Sequence, residues 1–111
     1  MQESIEAKLK TLSDRLSEIE KQLIEESSNL NHEDLISLNK EFSNIQPIVD
    51  LYSKYLNVLN ENTQAISLSK SEENEIKELA LLEVDETQKL MQEILAELKL
   101  MLLPVDEDDE K

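Results

Sequence analysis

The residues best suited to chemistry are carboxylates, and the longest run of them is Asp106-Glu107-Asp108-Asp109-Glu110 near the end of the chain. A calcium loop would need alternating ligand positions, a glycine and a terminal glutamate at fixed spacing, and the run lacks this pattern. An acid–base pair would need apolar surroundings that raise one carboxyl pKa. The other clustered carboxylates lie on polar helix faces: Glu18, Glu20, Glu25 and Glu26. We therefore predict no metal site and no catalytic carboxylate, and interpret the terminal run as a solvated tail or the start of a linker.

Composition excludes most other catalytic machinery. The chain of 111 residues has no glycine, no cysteine and a single histidine, His32. Phosphate loops and nucleophile elbows that depend on glycine are excluded, as are disulfides, thiolate metal sites and histidine clusters. His32 is expected to be an exposed residue beside the start of a helix. We predict that the chain is not itself an enzyme and binds no cofactor.

The charge balance favours basic partners. The chain carries 26 acidic and 11 basic residues, a formal net charge of −15. Nucleic acids and anionic membrane surfaces repel such a chain, whereas basic protein surfaces attract it; the acidity could equally serve only to keep a helical protein soluble. The amino terminus lacks the features of a secretion signal, and no stretch approaches the roughly 20 apolar residues of a membrane span. We expect a soluble, cytoplasmic protein.

Apolar residues recur at spacings of three and four in the first half of the chain, which predicts two amphipathic helices. The first spans about residues 3–26, with an inward stripe of Ile5, Leu9, Leu12, Leu16, Ile19 and Leu23. The second starts after an N-cap at Asn31 and ends near residues 60–63. Its inward stripe is Leu35, Leu38, Phe42, Ile45, Val49, Tyr52, Leu56 and Leu59. Because this stripe keeps its register across Pro47, we predict one long helix kinked there.

A third helix is predicted from a capping box at Ser69 and Glu72 to about Leu103, where Pro104 stops it. Its main inward stripe is Ile76, Ala80, Val84, Thr87, Met91, Ile94, Leu98 and Met101. The run Leu79-Ala80-Leu81-Leu82 covers most of the helix circumference. Such a run contacts two neighbours, marks a break in the helix, or leaves leucines exposed for a partner. Tyr52 and Tyr55 are expected to be half-buried with their hydroxyls in water.

These helices predict an all-α fold, an elongated up-down-up antiparallel three-helix bundle with coiled-coil-like packing. The bundle would span residues 1–103, followed by the acidic segment at residues 104–111. At about 1.5 Å per residue, the second and third helices are longer than the first. Their shared end around residues 60–76 is therefore expected to protrude.

Residues 38–52 read LNKEFSNIQPIVDLY, and residues 97–104 read ELKLMLLP before the acidic run that closes the chain. Together, at matched separation, these two stretches resemble bacterial class-1 peptide chain release factors. In that family a leucine-x-lysine-glutamate-aromatic run leads into glutamate-proline-isoleucine-valine and then a tyrosine. The leucine-leucine-proline stop is closer to the type-1 factor. Gln46 replaces the usual glutamate, and the acidic junction, where the family commonly has a second proline and an asparagine, reads Val105-Asp106-Glu107-Asp108-Asp109, so the subtype stays open.

The resemblance implies an N-terminal interaction domain acting in translation termination, with residues 104–111 as an acidic junction to a missing catalytic domain. The Gly-Gly-Gln loop and the codon-reading tripeptide of such factors lie downstream of this domain. It also implies contacts with the ribosome, through proteins at the base of the large-subunit stalk, and with the recycling GTPase factor. The candidate contact residues lie at the protruding end: Glu61, Ile66, Leu68 and Glu72.

Periodicity alone leaves two other interpretations open. A structural coiled-coil or three-helix interaction module unrelated to translation explains the heptads equally well, but not the paired landmarks at Pro47 and Leu103-Pro104. A transfer-RNA-binding helical arm of a synthetase should show a basic face, and the net charge of −15 speaks against it.

Overall fold

The computed structural model of the chain describes residues 3–103 and contains the three predicted helices. Helix α1 is Glu3–Glu25, α2 is His32–Leu68 and α3 is Asn74–Met101. A 3₁₀ turn, Ser27–Asn29, lies between α1 and α2, and residues 3–103 contain no strand. The all-α three-helix class is confirmed. The predicted junction at 104–111, including Pro104, lies outside the described residues.

The chain divides into two compact units, and the boundary falls inside α2 between Ser53 and Lys54. The first unit contains α1 and the first part of α2, and the second contains the rest of α2 and α3. Helix α2 is continuous through Pro47. The kink near this proline stays a prediction.

The first unit is built on the predicted heptad stripe of α1. Leu16 and Ile19 of α1 form a buried cluster with Leu38 and Ile45 of α2. Half-buried apolar residues surround this cluster: Leu12, Leu23, Leu30, Phe42 and Val49. Removal of this apolar surface from water is the main force that holds the two helices together.

The start of α2 follows the prediction. The Oδ1 atom of Asn31 accepts a hydrogen bond from the backbone N–H of Asp34 at 2.8 Å, as an N-cap residue does. Glu33 and Asp34 place negative charge in the first turn, where the helix dipole favours it. His32, the first residue of α2, is exposed as expected.

The end of α2 differs from the prediction. The helix continues to Leu68 because residues 60–68 contain no glycine or proline to break it. The Ser69 hydroxyl then donates to the carbonyl of Ile66 at 2.6 Å, so this residue closes α2 and does not begin α3. The Ser71 hydroxyl accepts instead from the backbone N–H of Glu73 at 3.1 Å, just before α3. The predicted capping box of Ser69 and Glu72 is therefore wrong.

The inward face of α2 also changes in the second unit. Leu56 and Leu59 were predicted to face inward, but they are 42% and 37% exposed. The buried residues of this segment are Tyr55, Val58, Asn62 and Ala65. Tyr52 and Tyr55 are each only 6% exposed, so the prediction of half-buried rings is wrong.

Candidate functional site

A buried polar contact links α2 to α3 in the second unit. Asn62 and Thr87 are 6% and 3% exposed, and Asn62 Nδ2 donates to Thr87 Oγ1 at 2.8 Å. The Thr87 hydroxyl in turn donates to the backbone carbonyl of Glu83 at 2.7 Å. Because each buried group has a partner, this contact fixes the register of the two helices without leaving an unsatisfied polar atom. We call Asn62 and Thr87 the polar lock.

Small residues lie between the polar lock and the turn that joins α2 to α3. Ala65 of α2 and Ala80 of α3 are 3% and 5% exposed. An alanine fills little of the space between two helices, so larger neighbours can form the walls of a depression above it. An open groove of about 370 Å³ lies there. We call it the hairpin groove; its lining residues are Glu61, Gln64, Ala65, Leu68, Ile76, Leu79, Ala80 and Glu83.

The walls of the hairpin groove are apolar and accessible. Leu68 is 56% exposed, Ile76 is 38% exposed and Leu79 is 67% exposed. Leu81 and Leu82, next along α3, are 50% and 62% exposed. Leu68, Ile76 and Leu79 line the same groove, and a cluster of exposed apolar residues of this kind is typical of surfaces that bind another molecule.

The structure decides between the three interpretations of the Leu79–Leu82 run. Helix α3 is continuous through it, and Ala80 alone is buried there while the three leucines are exposed. The run therefore neither breaks the helix nor packs against two neighbours. It leaves leucines exposed, as the third interpretation states.

The four candidate contact residues separate into two groups. Glu61 and Leu68 line the hairpin groove. Ile66 is 39% exposed and Glu72 is exposed in the turn before α3, but neither lines the groove. The residues contributed by α3 were not among the candidates: Ile76, Leu79, Ala80 and Glu83. The run of leucines was the sequence signal that could have identified this helix as part of the site.

An ion pair in the first unit provides the clearest electrostatic feature. Arg15 Nε lies 2.7 Å from Glu41 Oε2, and Arg15 Nη2 lies 2.8 Å from Oε1, so the pair is bidentate. Hydrogen bonding to the Arg15 guanidinium lowers the pKa of Glu41, against a smaller opposing effect of burial. The same hydrogen bond raises the pKa of Arg15 above its usual value. Both side chains are about one third exposed (34% and 37%), so the pair connects α1 to α2 at the surface.

Residues 3–103 also lack the features of a metal site and of a membrane span. No group of three or more histidine, aspartate or glutamate side chains in this part of the chain is arranged to hold a metal ion. None of its helices combines the length and apolar character that a membrane span requires.

The chain is similar in sequence to one protein family and to individual members of it. Residues 12–111 match the sequence profile of the PCRF domain. The peptide chain release factor 1 of Wolbachia pipientis subsp. Culex pipiens is 38% identical over 111 residues, covering 96% of this chain and 30% of the relative. That of Malacoplasma penetrans is 36% identical over 104 residues, covering 93% of this chain and 28% of the relative.

A third relative has a similar identity and coverage. The peptide chain release factor 1 of Chloroherpeton thalassium is 36% identical over 104 residues, covering 93% of this chain and 29% of the relative. The chain thus spans less than one third of the length of these curated relatives. No solved structure matches it significantly.

Proposed function

The chain belongs to the PCRF domain family, and from this premise we propose that it is the N-terminal interaction domain of a peptide chain release factor in translation termination. The observation that supports this proposal is identity of 36–38% to type-1 release factors along at least 93% of the chain. The match includes both helical units and the Pro47 segment, since it extends from residue 12 to residue 111. A coiled-coil module unrelated to translation would have no reason to match in this way.

The proposed role is binding and not catalysis. Release of the nascent peptide by the family uses a Gly-Gly-Gln loop, and these 111 residues contain no glycine. The chain would contribute positioning of the factor on the ribosome, in the cytoplasm where bacterial translation takes place. Its own surface would then have to supply affinity for a ribosomal or factor partner.

The proposed partners are proteins at the base of the large-subunit stalk and the recycling GTPase factor. The net charge of −15 supports basic protein surfaces as the contact and disfavours direct binding to ribosomal RNA. Complementary charge accelerates encounter and makes affinity depend on ionic strength. Binding to the stalk base should therefore weaken as salt is raised.

The test is sedimentation of the labelled 111-residue chain with bacterial ribosomes that carry a stop codon in the A site. We expect the chain to pellet with intact ribosomes at low ionic strength and to remain in the supernatant with ribosomes that lack the stalk-base proteins. An excess of the chain should also slow peptide release by a full-length type-1 factor, because the two would compete for one surface.

Two results would contradict the proposal. Equal pelleting with intact and stalk-base-depleted ribosomes would show that the stalk base is not the partner. No pelleting and no inhibition of peptide release by a chain whose circular dichroism is fully helical would remove the ribosome-binding role itself.

A further inference from the structure

The hairpin groove has the dimensions of a site for side chains of another protein. Its volume of about 370 Å³ is at the lower end of the range for ligand sites, roughly 300–1,000 Å³. Ala65 and Ala80 form its floor, and Leu68, Ile76 and Leu79 form its walls. A groove between two helices with such a floor suits apolar side chains that project from one face of a third helix.

The charged residues that line the groove favour a partner with basic residues. Glu61 of α2 and Glu83 of α3 line it, and no lining residue is basic. A second copy of the chain would bring the same glutamates and a further charge of −15, which repels association. An anionic lipid surface is disfavoured by the same sign. A partner that carries lysine or arginine beside its apolar residues is complementary.

The two helices that form the groove are held together by buried contacts beside it. The polar lock fixes the register of α2 and α3 through the 2.8 Å hydrogen bond from Asn62 to Thr87, and Ala65 and Ala80 are buried nearby. A site whose walls are held by packed helices requires little ordering when it is occupied, which favours affinity.

We propose that the hairpin groove binds a basic amphipathic helix of a partner protein. Apolar side chains one helical turn apart on that helix enter the groove over Ala65 and Ala80. Lysine or arginine side chains at its borders pair with Glu61 and Glu83. The proposal rests on the proposed function only in taking the partner to be a protein of the termination machinery; the chemistry of the groove is independent of it.

The first test is titration of the isotope-labelled chain with two synthetic peptides, followed by backbone amide shifts and fluorescence anisotropy. Both peptides carry leucine on one helical face; the other face is lysine in the first peptide and glutamate in the second. We expect the leucine–lysine peptide to bind and to shift amides between residues 61 and 83. The leucine–glutamate peptide should produce no shifts there. Absence of binding by the lysine peptide would overturn the proposal.

Matched variants distinguish the groove from general attraction to an acidic chain. Leu79→Gln should weaken binding of the lysine peptide about tenfold, as loss of a central apolar contact does. Leu100→Gln is the control, because Leu100 is equally exposed on α3 (69% against 67%) and does not line the groove. Glu83→Lys should weaken binding more than Glu86→Lys, an identical charge change at an exposed position of α3 outside the groove.

Equal effects of the groove variants and their controls would show non-specific attraction and overturn the proposal. The peptide titration and the ribosome experiment can fail separately. Loss of groove binding with ribosome binding intact removes only the groove, whereas groove binding without ribosome binding removes only the proposed function. All four variants change exposed residues, and circular dichroism would verify that each remains helical.

Discussion

Both units of the chain bury large apolar residues, but they differ in where the polar connection between their helices lies. In the first unit, the large apolar residues Leu16, Ile19, Leu38 and Ile45 are buried, and the polar connection between helices, Arg15 to Glu41, lies at the surface. In the second unit, the polar connection between Asn62 and Thr87 is buried. Large leucines near the turn of that unit, such as Leu79, are exposed.

The contrast concerns the region near the turn of the second unit. Both units bury large apolar residues, and those of the second unit include Val58, Ile94 and Leu98, so apolar burial stabilises each unit. Near its turn, the second unit places alanines and a satisfied polar pair between its helices. The leucines of this region stay exposed, where they can contribute to binding. Within the second unit, buried and exposed apolar residues therefore lie at different distances from the turn.

The largest expected effect is loss of the apolar cluster of the first unit. Ile19→Ala removes a side chain that is 0% exposed and leaves a cavity, which should lower the free energy of unfolding by about 2–5 kcal/mol. Ile24→Ala is the matched control, because Ile24 lies on the same helix and is 78% exposed. Its effect should stay within about 0.5 kcal/mol. Urea unfolding followed by circular dichroism measures both, and similar losses would contradict the assignment of Ile19 to a core.

The second expected effect concerns the polar lock. Thr87→Val keeps the shape of the side chain but removes the nearer acceptor of the Asn62 amide, which retains only a long contact of 3.4 Å with the Val84 carbonyl. This loss should destabilise the chain by about 1–3 kcal/mol. Asn62→Leu introduced into the Thr87→Val variant removes the unsatisfied amide as well. The double variant should therefore be more stable than Thr87→Val alone. A full double-mutant cycle by urea unfolding measures the coupling, and strictly additive effects would show that the hydrogen bond does not matter to the second unit.

The smallest expected effect is that of the surface ion pair. Since the pKa of Glu41 is lowered in the folded chain, its contribution to stability is fully present above the ordinary carboxyl value of 4.5. The contribution is lost as the pH falls below that value and through the lower pKa of the folded state. Glu41→Gln should therefore reduce the melting temperature slightly at pH 7. It should have no such effect at a pH below the folded-state pKa of Glu41. Thermal melts against pH measure the difference, and high salt should reduce it.

The control for the ion pair is Glu20→Gln, which changes the same charge at an exposed position of α1. If Glu20→Gln and Glu41→Gln gave the same pH-dependent difference from the parent chain, the effect would come from overall charge. The polar connection of the first unit would then have no specific role.

The parts of the fold that local sequence determines were predicted correctly. The heptad spacing of Leu9, Leu16 and Ile19 identified the buried stripe of α1, because one helix periodicity determines which residues share a face. Asn31 was identified as an N-cap because the hydrogen bond it makes is to a residue three positions away. Such features depend on neighbours in the chain and not on a packed partner.

The predicted inward stripe of α2 is wrong in the second unit, where contacts with α3 determine which residues are buried. The stripe was continued through Leu56 and Leu59 because they are apolar, whereas the structure buries Val58 and Asn62. Burial of an asparagine depends on the hydroxyl of Thr87 on another helix, which no periodicity reveals. The error at the end of α2 is local and has a different cause: residues 60–68 contain no helix breaker, and the Ser69 hydroxyl bonds back to Ile66 and does not cap the next helix.

Two of the candidate contact residues, Glu61 and Leu68, line the hairpin groove. Their contact with a partner, like that of Ile66 and Glu72, stays a prediction. Ile76, Leu79 and Glu83 were missed because their relation to α2 depends on the pairing of the two helices. Exposure of the leucines of α3 was one of the interpretations of the Leu79–Leu82 run. That Leu79 and Leu68 line the same groove follows only from the pairing of α2 and α3.

The two connections between helices have a further consequence for the order of folding. Arg15 and Glu41 are 26 residues apart in the chain, and Asn62 and Thr87 are 25 apart. Closing loops of this length costs little entropy, and helical proteins with such local contacts fold in microseconds to milliseconds. A ribosome adds about 5–20 residues per second. Each hairpin can therefore form within the time needed to add one residue, and we expect the first to form while the second is still being synthesised.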